Sequence, residues 1–274
     1  ERFLDLCKKP EYYFDTTAAE EKLQVVSLMK HTSGSFYGKS FNILPWQAFY
    51  WAWIFGLKYR SDNLRVTRET LLCMAKKGGK SEVGGATAVL MTFFDGEQRA
   101  QCFSAANSTD QALYSWNAGK VIAKQLAADE PEFAEIVKIY DSKNNHEIKN
   151  LLTDSFFVTI SSENSTLDGT NAHFALIDEF HEAKDDSIPK NLKSGMVLRS
   201  QPLLMYVTTR GFNDKGELAK LERKHVGLLR NQFQDDSVQG MIFAFDQPDV
   251  EEFRKYWGKP INEIDKSFWE KSNP

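Results

Sequence analysis

The chain is poor in cysteine: 274 residues contain only Cys7, Cys73 and Cys102. An odd number at these spacings suits neither a disulfide framework nor a metal site, and a reduced, cytosolic protein is expected. Cys73 and Cys102 sit in strand-like runs and read as small buried hydrophobes. No stretch of eighteen apolar residues occurs, and the most hydrophobic patch, "WQAFYWAWIFGL", is too short to cross a bilayer as a helix. The opening "ERFLDLCKKPEYYF" lacks the basic-then-apolar order of a secretory signal. Positive charge is not in excess either; the formal net charge is −4. A compact DNA-binding module is usually basic, so composition gives no sign of one. It leaves room for a protein that touches DNA with one face, or as part of a ring. Internal repeats and low-complexity tracts are also missing.

What remains is an ordinary globular composition, 42% hydrophobic and 26% charged. The length suffices for one large domain or two small ones with a substantial core. Residues 16 to 60 read as two helices: "TTAAEEKLQVVSLMK", with spaced apolar Leu23, Val26 and Met29, and "WQAFYWAWIFGLKYR" after Pro45. Proline suits the first helical turn, where its missing N–H has no partner to lose. Short apolar runs then follow at Leu71–Met74, Gln101–Ala105, Phe156–Ile160, Phe174–Ile177, Leu203–Val207 and Met241–Phe245. Helix-length segments lie between most of them: Lys80–Phe94, Thr109–Ala127, Asp185–Arg199 and Lys215–Arg230. Continuous apolar strands alternating with helices predict an α/β fold with a mostly parallel sheet covered on both faces. Asp95-Gly96 marks a turn. The polar, Asn-containing Lys138–Leu152 predicts a hairpin or surface excursion, and the charged stretch from Asp246 reads as a linker or lid.

Three constellations that follow apolar runs carry chemistry, and a fourth lies upstream of them. Gly79-Lys80-Ser81 ends a phosphate loop, Gly-x4-Gly-Lys-Ser/Thr, but Met74 stands where the first glycine belongs. A surface turn before a helix would show the same tripeptide. Its context favours phosphate: an apolar strand precedes it and a helix-like segment follows, so backbone N–H groups and the helix dipole would face the ligand. Lys80 would reach the β- and γ-phosphates, and Ser81 would ligate Mg2+. In "HFALIDEFHE" an apolar strand ends in two acids. Asp178 would hold the metal and Glu179 would orient or deprotonate the attacking water. A zinc-protease reading of His181-Glu182 fails, because the position four residues after His181 is Asp185. In "LLMYVTTRG" a strand ends in Thr208-Thr209, hydroxyls able to sense a γ-phosphate. Upstream, "FNILPWQ" offers Gln47 to read an adenine edge, with Trp46 packing nearby, whereas Trp51 and Trp53 read as core.

In this order the residues resemble the N-terminal ATPase domain of the large terminase subunit of tailed double-stranded-DNA bacteriophages. "LPWQ" is similar to its adenine motif, "AKKGGKS" to its variant phosphate loop and "SAANSTDQA" to its second-strand segment. "SSENSTLDGTNAHFALIDEFHE" resembles the approach to its acidic strand, "TTRG" its coupling motif, and the terminal "SNP" the way out of the motor domain. The resemblance implies a P-loop NTPase fold of RecA/ASCE type. It implies a helical segment over 1–60 packed on an ATPase core at 61–211, with a lid and linker start at 212–274. It makes Gly78, Gly79, Lys80 and Ser81 the phosphate cradle, and Lys76 the basic residue four positions before the invariant lysine. Where relatives have arginine, Lys76 keeps charge but loses bidentate geometry.

The implied activity is Mg2+-dependent ATP hydrolysis that drives double-stranded viral DNA into the procapsid. The implied partners are DNA, the portal protein, the small terminase subunit and copies of the chain in a ring of five, with a monomer in isolation. The implied location is the host cytoplasm, docked on the portal and outside the finished virion. The nuclease domain that normally follows is expected to be missing, and no nuclease activity is expected. No arginine occupies the place, about eleven residues before Glu179, where some relatives keep a trans-acting one; Arg199, Arg210, Arg223 and Arg230 are the other candidates. Lys143–Lys149 is a candidate DNA-contacting loop. Two rival readings are a superfamily-two helicase, suggested by "DEFH", and a non-hydrolysing interaction module, suggested by the missing glycine and arginine.

Overall fold

The apolar runs do form a sheet. A computed structural model of the chain describes residues 1–143, 145–161, 169–210, 213, 215–243, 255 and 263. Most of the segment from Asp246, read as a linker or lid, lies outside the described residues, as does most of the approach to the acidic strand. Among the described residues, the strands are β1 (Tyr12–Phe14), β2 (Leu57–Tyr59), β3 (Glu69–Cys73), β4 (Gln101–Ala106), β5 (Val137–Ser142), β6 (Asn145–Asn150), β7 (Ser155–Ser161), β8 (Ala172–Asp178), β9 (Leu203–Thr208) and β10 (Val238–Ile242). The helices are α1 (Arg2–Lys8), α2 (Thr16–Leu28), α3 (Pro45–Gly56), α4 (Lys80–Val89), α5 (Thr109–Asp129), α6 (Pro131–Ile136), α7 (Ser187–Gly195) and α8 (Glu217–Leu229).

The main sheet has the order β10-β3-β9-β8-β4-β7-β6-β5. Its first six strands run parallel, and the β5–β6 hairpin closes one side antiparallel. That hairpin is the excursion expected at Lys138–Leu152. The order matters for chemistry. Chain succession would put β4 beside β3, yet β9 and β8 lie between them. The carboxyl ends of β3, β9 and β8, which carry the three constellations, are therefore consecutive neighbours. In open α/β sheets this edge is where ligands bind.

Alternation along the strands feeds two cores. Leu72, Phe174, Leu176, Met205 and Val207 face one side, with Trp51, Ile54, Val83 and Trp116 from α3, α4 and α5. Leu71, Ala175, Ile177, Leu204 and Tyr206 face the other, with Leu192 and Leu218 from α7 and α8. Small residues set the helix packing on the first side. A Cβ on Gly85 would lie 2.7 Å from the Gly119 nitrogen, so α4 and α5 meet almost backbone to backbone. α3 is built into this core: Trp51 Nε1 donates to Thr87 Oγ1 at 2.9 Å, and Thr70 Oγ1 donates to the Tyr50 hydroxyl at 2.9 Å. Residues 215–243, grouped by sequence with a lid, carry α8 and β10, and β10 pairs with β3 in the main sheet. The β1–β2 pair was not foreseen, because three-residue strands are too short to show alternation.

Candidate nucleotide-binding site

The loop between β3 and α4 is shaped by two left-handed residues, Lys77 at φ 70° and Gly79 at φ 85°. Gly79 caps α4, whose first turn therefore opens onto the loop. A lysine in this conformation costs on the order of 1–3 kcal/mol, so the surrounding structure must hold it. Met74 contributes to that hold. It is buried, and its backbone N–H donates to the Thr208 carbonyl at 3.1 Å. Its methyl lies where a Cβ on Gly78 would come within 2.9 Å. The side chain that replaces the first glycine thus props the loop from beneath, and the loop keeps glycine above it.

Lys80 points from this loop toward the end of β8. Its ammonium stands 3.3 Å from Glu179 Oε1, and the lysine side chain is only 8% exposed. Glu179 itself has φ 48°, a left-handed turn immediately after the strand. Asp178 is buried beside it. One carboxylate oxygen accepts from Ser115 Oγ, the other from the Glu179 backbone N–H at 2.8 Å. Burial pushes the Asp178 carboxyl up to about 6, and the Glu179 charge adds to this. The Ser115 and backbone hydrogen bonds and the Lys80 charge pull against it without prevailing. A buried acid so short of positive charge is a place where a bound cation would be stabilised.

Thr208 and Thr209 are both buried at the end of β9. The His181 backbone N–H donates to Thr208 Oγ1 at 3.2 Å, and that hydroxyl donates to the Thr209 carbonyl at 3.0 Å. The acid strand and the threonine strand are thereby tied side to side.

An open cleft of about 700 Å³ runs along the loop, lined by Lys76, Lys77, Gly78, Gly79, Lys80, Ser81 and Glu179 on one wall. His31, Ser33, Phe36, Leu44 and Gln47 form the facing wall. Gln47 Oε1 accepts the Leu44 backbone N–H at 2.8 Å, capping α3, and the residue lines the cleft. Trp46 is not among the lining residues. Its ring packs edge-on against Phe243, 5.2 Å between centroids, and its indole N–H is buried without a partner. The two walls are clamped by Glu82 of α4, which accepts from Thr32 N–H and Oγ1 at 2.7 and 2.9 Å and lies 2.9 Å from His31 Nδ1.

A model of the terminase large subunit ATPase domain matches residues 45–226. The chain belongs to that family. The terminase assignment sets aside the helicase reading of "DEFH". The fold agrees: the HK97 bacteriophage large terminase superposes with a TM-score of 0.68 at 18% identity, over 92% of this chain and 47% of that one. The Thermus phage P74-26 large terminase ATPase domain gives 0.51 at 16% identity, over 77% and 90%. Protein YmfN of Escherichia coli (strain K12) is 33% identical over 82 residues, 30% of this chain and 18% of YmfN. This terminase domain therefore spans about half of the HK97 protein and a smaller share of YmfN.

Other residues of the terminase domain fall elsewhere. Arg199, one trans-arginine candidate, is spent at the opposite edge of the sheet on Glu97 and on the carbonyls of Gln98, Arg99 and Asn171. Arg210, Arg223 and Arg230 line a groove along α8. Lys149 pairs with Asp154 at 2.6 Å on the β6–β7 turn. Three participants carry little signal in the sequence. Ser115 and Glu82 look like ordinary helix positions, and nothing local marks them. His181 is visible in "DEFH", the run behind the helicase and zinc-protease readings, and neither gives it this place.

Proposed function

We propose that this terminase domain is an ATP hydrolase that drives double-stranded DNA packaging. The observation that carries the reading is the meeting of Lys80 and Glu179 at 3.3 Å beside the open cleft. A cation and a carboxylate in contact at a phosphate loop form a resting pair. A polyphosphate in the cleft would draw Lys80 to itself and release Glu179 to take a proton from water. Lys76 and the N–H groups of Gly78, Gly79 and Lys80 would hold the remaining phosphate charge.

The donor set fits Mg2+. Ser81 and Asp178 offer hard oxygens, and Asp178 is short of positive charge. When bound, Mg2+ supplies charge neutralisation at the phosphates. Thr208 and Thr209 would sense the γ-phosphate, being tied to the acid strand through His181. Gln47 would donate its amide N–H to the base, while Trp46 would support the α3 wall from behind.

Packaging would need copies of the domain in a ring, five in this reading, on the portal protein in the host cytoplasm, with double-stranded DNA and the small subunit as further partners. The deciding experiment is Mg-ATP turnover by Glu179→Gln against the unaltered chain. Turnover should fall by about 10²–10⁴ while nucleotide still binds. Undiminished turnover would remove Glu179 as the base.

A further inference from the structure

Glu179 has two carboxylate oxygens in different surroundings. Oε1 faces Lys80. Oε2 is buried and makes no hydrogen bond, although His181 Nδ1 stands only 3.1 Å away. The same Nδ1 lies 3.4 Å from Thr208 Oγ1 and 3.4 Å from Thr209 Oγ1. The imidazole therefore sits at the junction of the acid strand and the threonine strand, and its side chain is 14% exposed.

We infer that His181 is the positioning residue that holds Glu179 once a nucleotide has drawn Lys80 away, and that it links this carboxylate to Thr208 and Thr209. The inference rests on the hydrolytic reading of the site. A ring protonated on Nδ1 has one N–H there, and three oxygens lie within 3.4 Å of it. Thr208 Oγ1 already donates its hydrogen to the Thr209 carbonyl, so toward Nδ1 it can only accept. The Nδ1–H can thus serve Glu179 or a threonine, but not both at full strength. A small ring rotation exchanges them. With Lys80 on Oε1, Glu179 is held without the histidine. With Lys80 on phosphate, an unheld carboxylate on a left-handed residue would lose the geometry that proton abstraction needs, and His181 restores it.

The test is steady-state Mg-ATP hydrolysis and nucleotide affinity for the whole chain carrying His181→Phe or His181→Asn. Glu179→Gln and Lys80→Ala serve as references, and urea unfolding is measured on each. The phenyl ring keeps the packing but has no nitrogen, whereas asparagine restores a polar group near the place of Nδ1. The expected result is a kcat about 10–100-fold lower for His181→Phe with KM changed less than about 2-fold, and recovery to within about 3-fold for His181→Asn. In 15N-labelled protein, the His181 Nδ1 resonance should also move when a non-hydrolysable ATP analogue binds. An unchanged kcat in His181→Phe, no recovery in His181→Asn, or an unmoved resonance overturns the inference while leaving Glu179 as the base. Turnover that survives Glu179→Gln, or a wild-type rate no higher than that of Lys80→Ala, overturns the hydrolytic reading instead.

Discussion

Asp178 and Asp95 are both buried carboxylates, at opposite edges of the same sheet, and their environments push them in opposite directions. At the amino edge, burial would raise the Asp95 carboxyl, but the Arg65 charge and the His173 hydrogen bond outweigh it and hold it at about 2. Arg65 grips it through two nitrogens, at 2.8 and 3.3 Å, and His173 Nε2 lies 2.8 Å away. Gln201 closes the network, binding the Asp95 carbonyl through its amide and the Arg65 guanidinium through its backbone. At the carboxyl edge, Asp178 is left short of positive charge and sits at about 6. Burial is common to both; the supply of partners is what differs. Asp95 is met by a guanidinium and an imidazole, whereas Asp178 is hydrogen-bonded only by a hydroxyl and a backbone N–H.

The largest effect on stability is expected from breaking the saturated side. Arg65→Ala would leave the buried Asp95 carboxylate without its guanidinium, keeping the hydrogen bond with His173, at a cost of about 3–5 kcal/mol, read as a lowered urea midpoint. If the loss were below about 1 kcal/mol, the amino-edge network would not be the structural anchor described. Asp178→Asn should act with the opposite sign. The pKa of Asp178 in the fold lies above the ordinary 3.8, so its contribution to stability is whole below that pH and is lost as pH rises through about 6. In metal-free buffer at pH 7.5, Asp178→Asn should therefore be more stable than the unaltered chain by up to about 3 kcal/mol, and the gain should vanish near pH 4. The same substitution should abolish Mg-dependent turnover. Asp95 obeys the reverse rule: its contribution of about 2 kcal/mol is present above the ordinary 3.8 and is lost as pH falls through about 2. The smallest effect belongs to Lys76→Ala. This residue is exposed on the cleft wall, so unfolding should be unchanged within error while the KM for ATP rises a few-fold.

Much of the fold was legible because its signals are local. Buried parallel strands are continuous apolar runs, so β3, β4, β7, β8 and β9 stood out, and Pro45 marked the start of α3. The Gly79-Lys80-Ser81 tripeptide and the Asp178-Glu179 pair were legible as candidates because each is a short local run of particular residues. α7 is shorter than Asp185–Arg199, covering Ser187–Gly195, and Arg199 beyond it binds carbonyls at the amino edge. Arg65–Asp95–His173 gave no sequence signal, because its members are 30 and 78 residues apart and each alone reads as a surface residue.

By itself, then, the sequence determined the alternation of strands and helices, the phosphate-loop tripeptide, and the acids at the end of an apolar strand. These depend on backbone sterics, hydrophobic period and residue chemistry within a few positions of one another. Only the tertiary structure decided what each polar group would meet. The insertion of β9 between β3 and β8 brings Thr208 beside the acids, puts His181 between them, and lets Met74 underpin the phosphate loop. Such contacts are set by sheet order, and sheet order is a property of packing that no short stretch of chain contains.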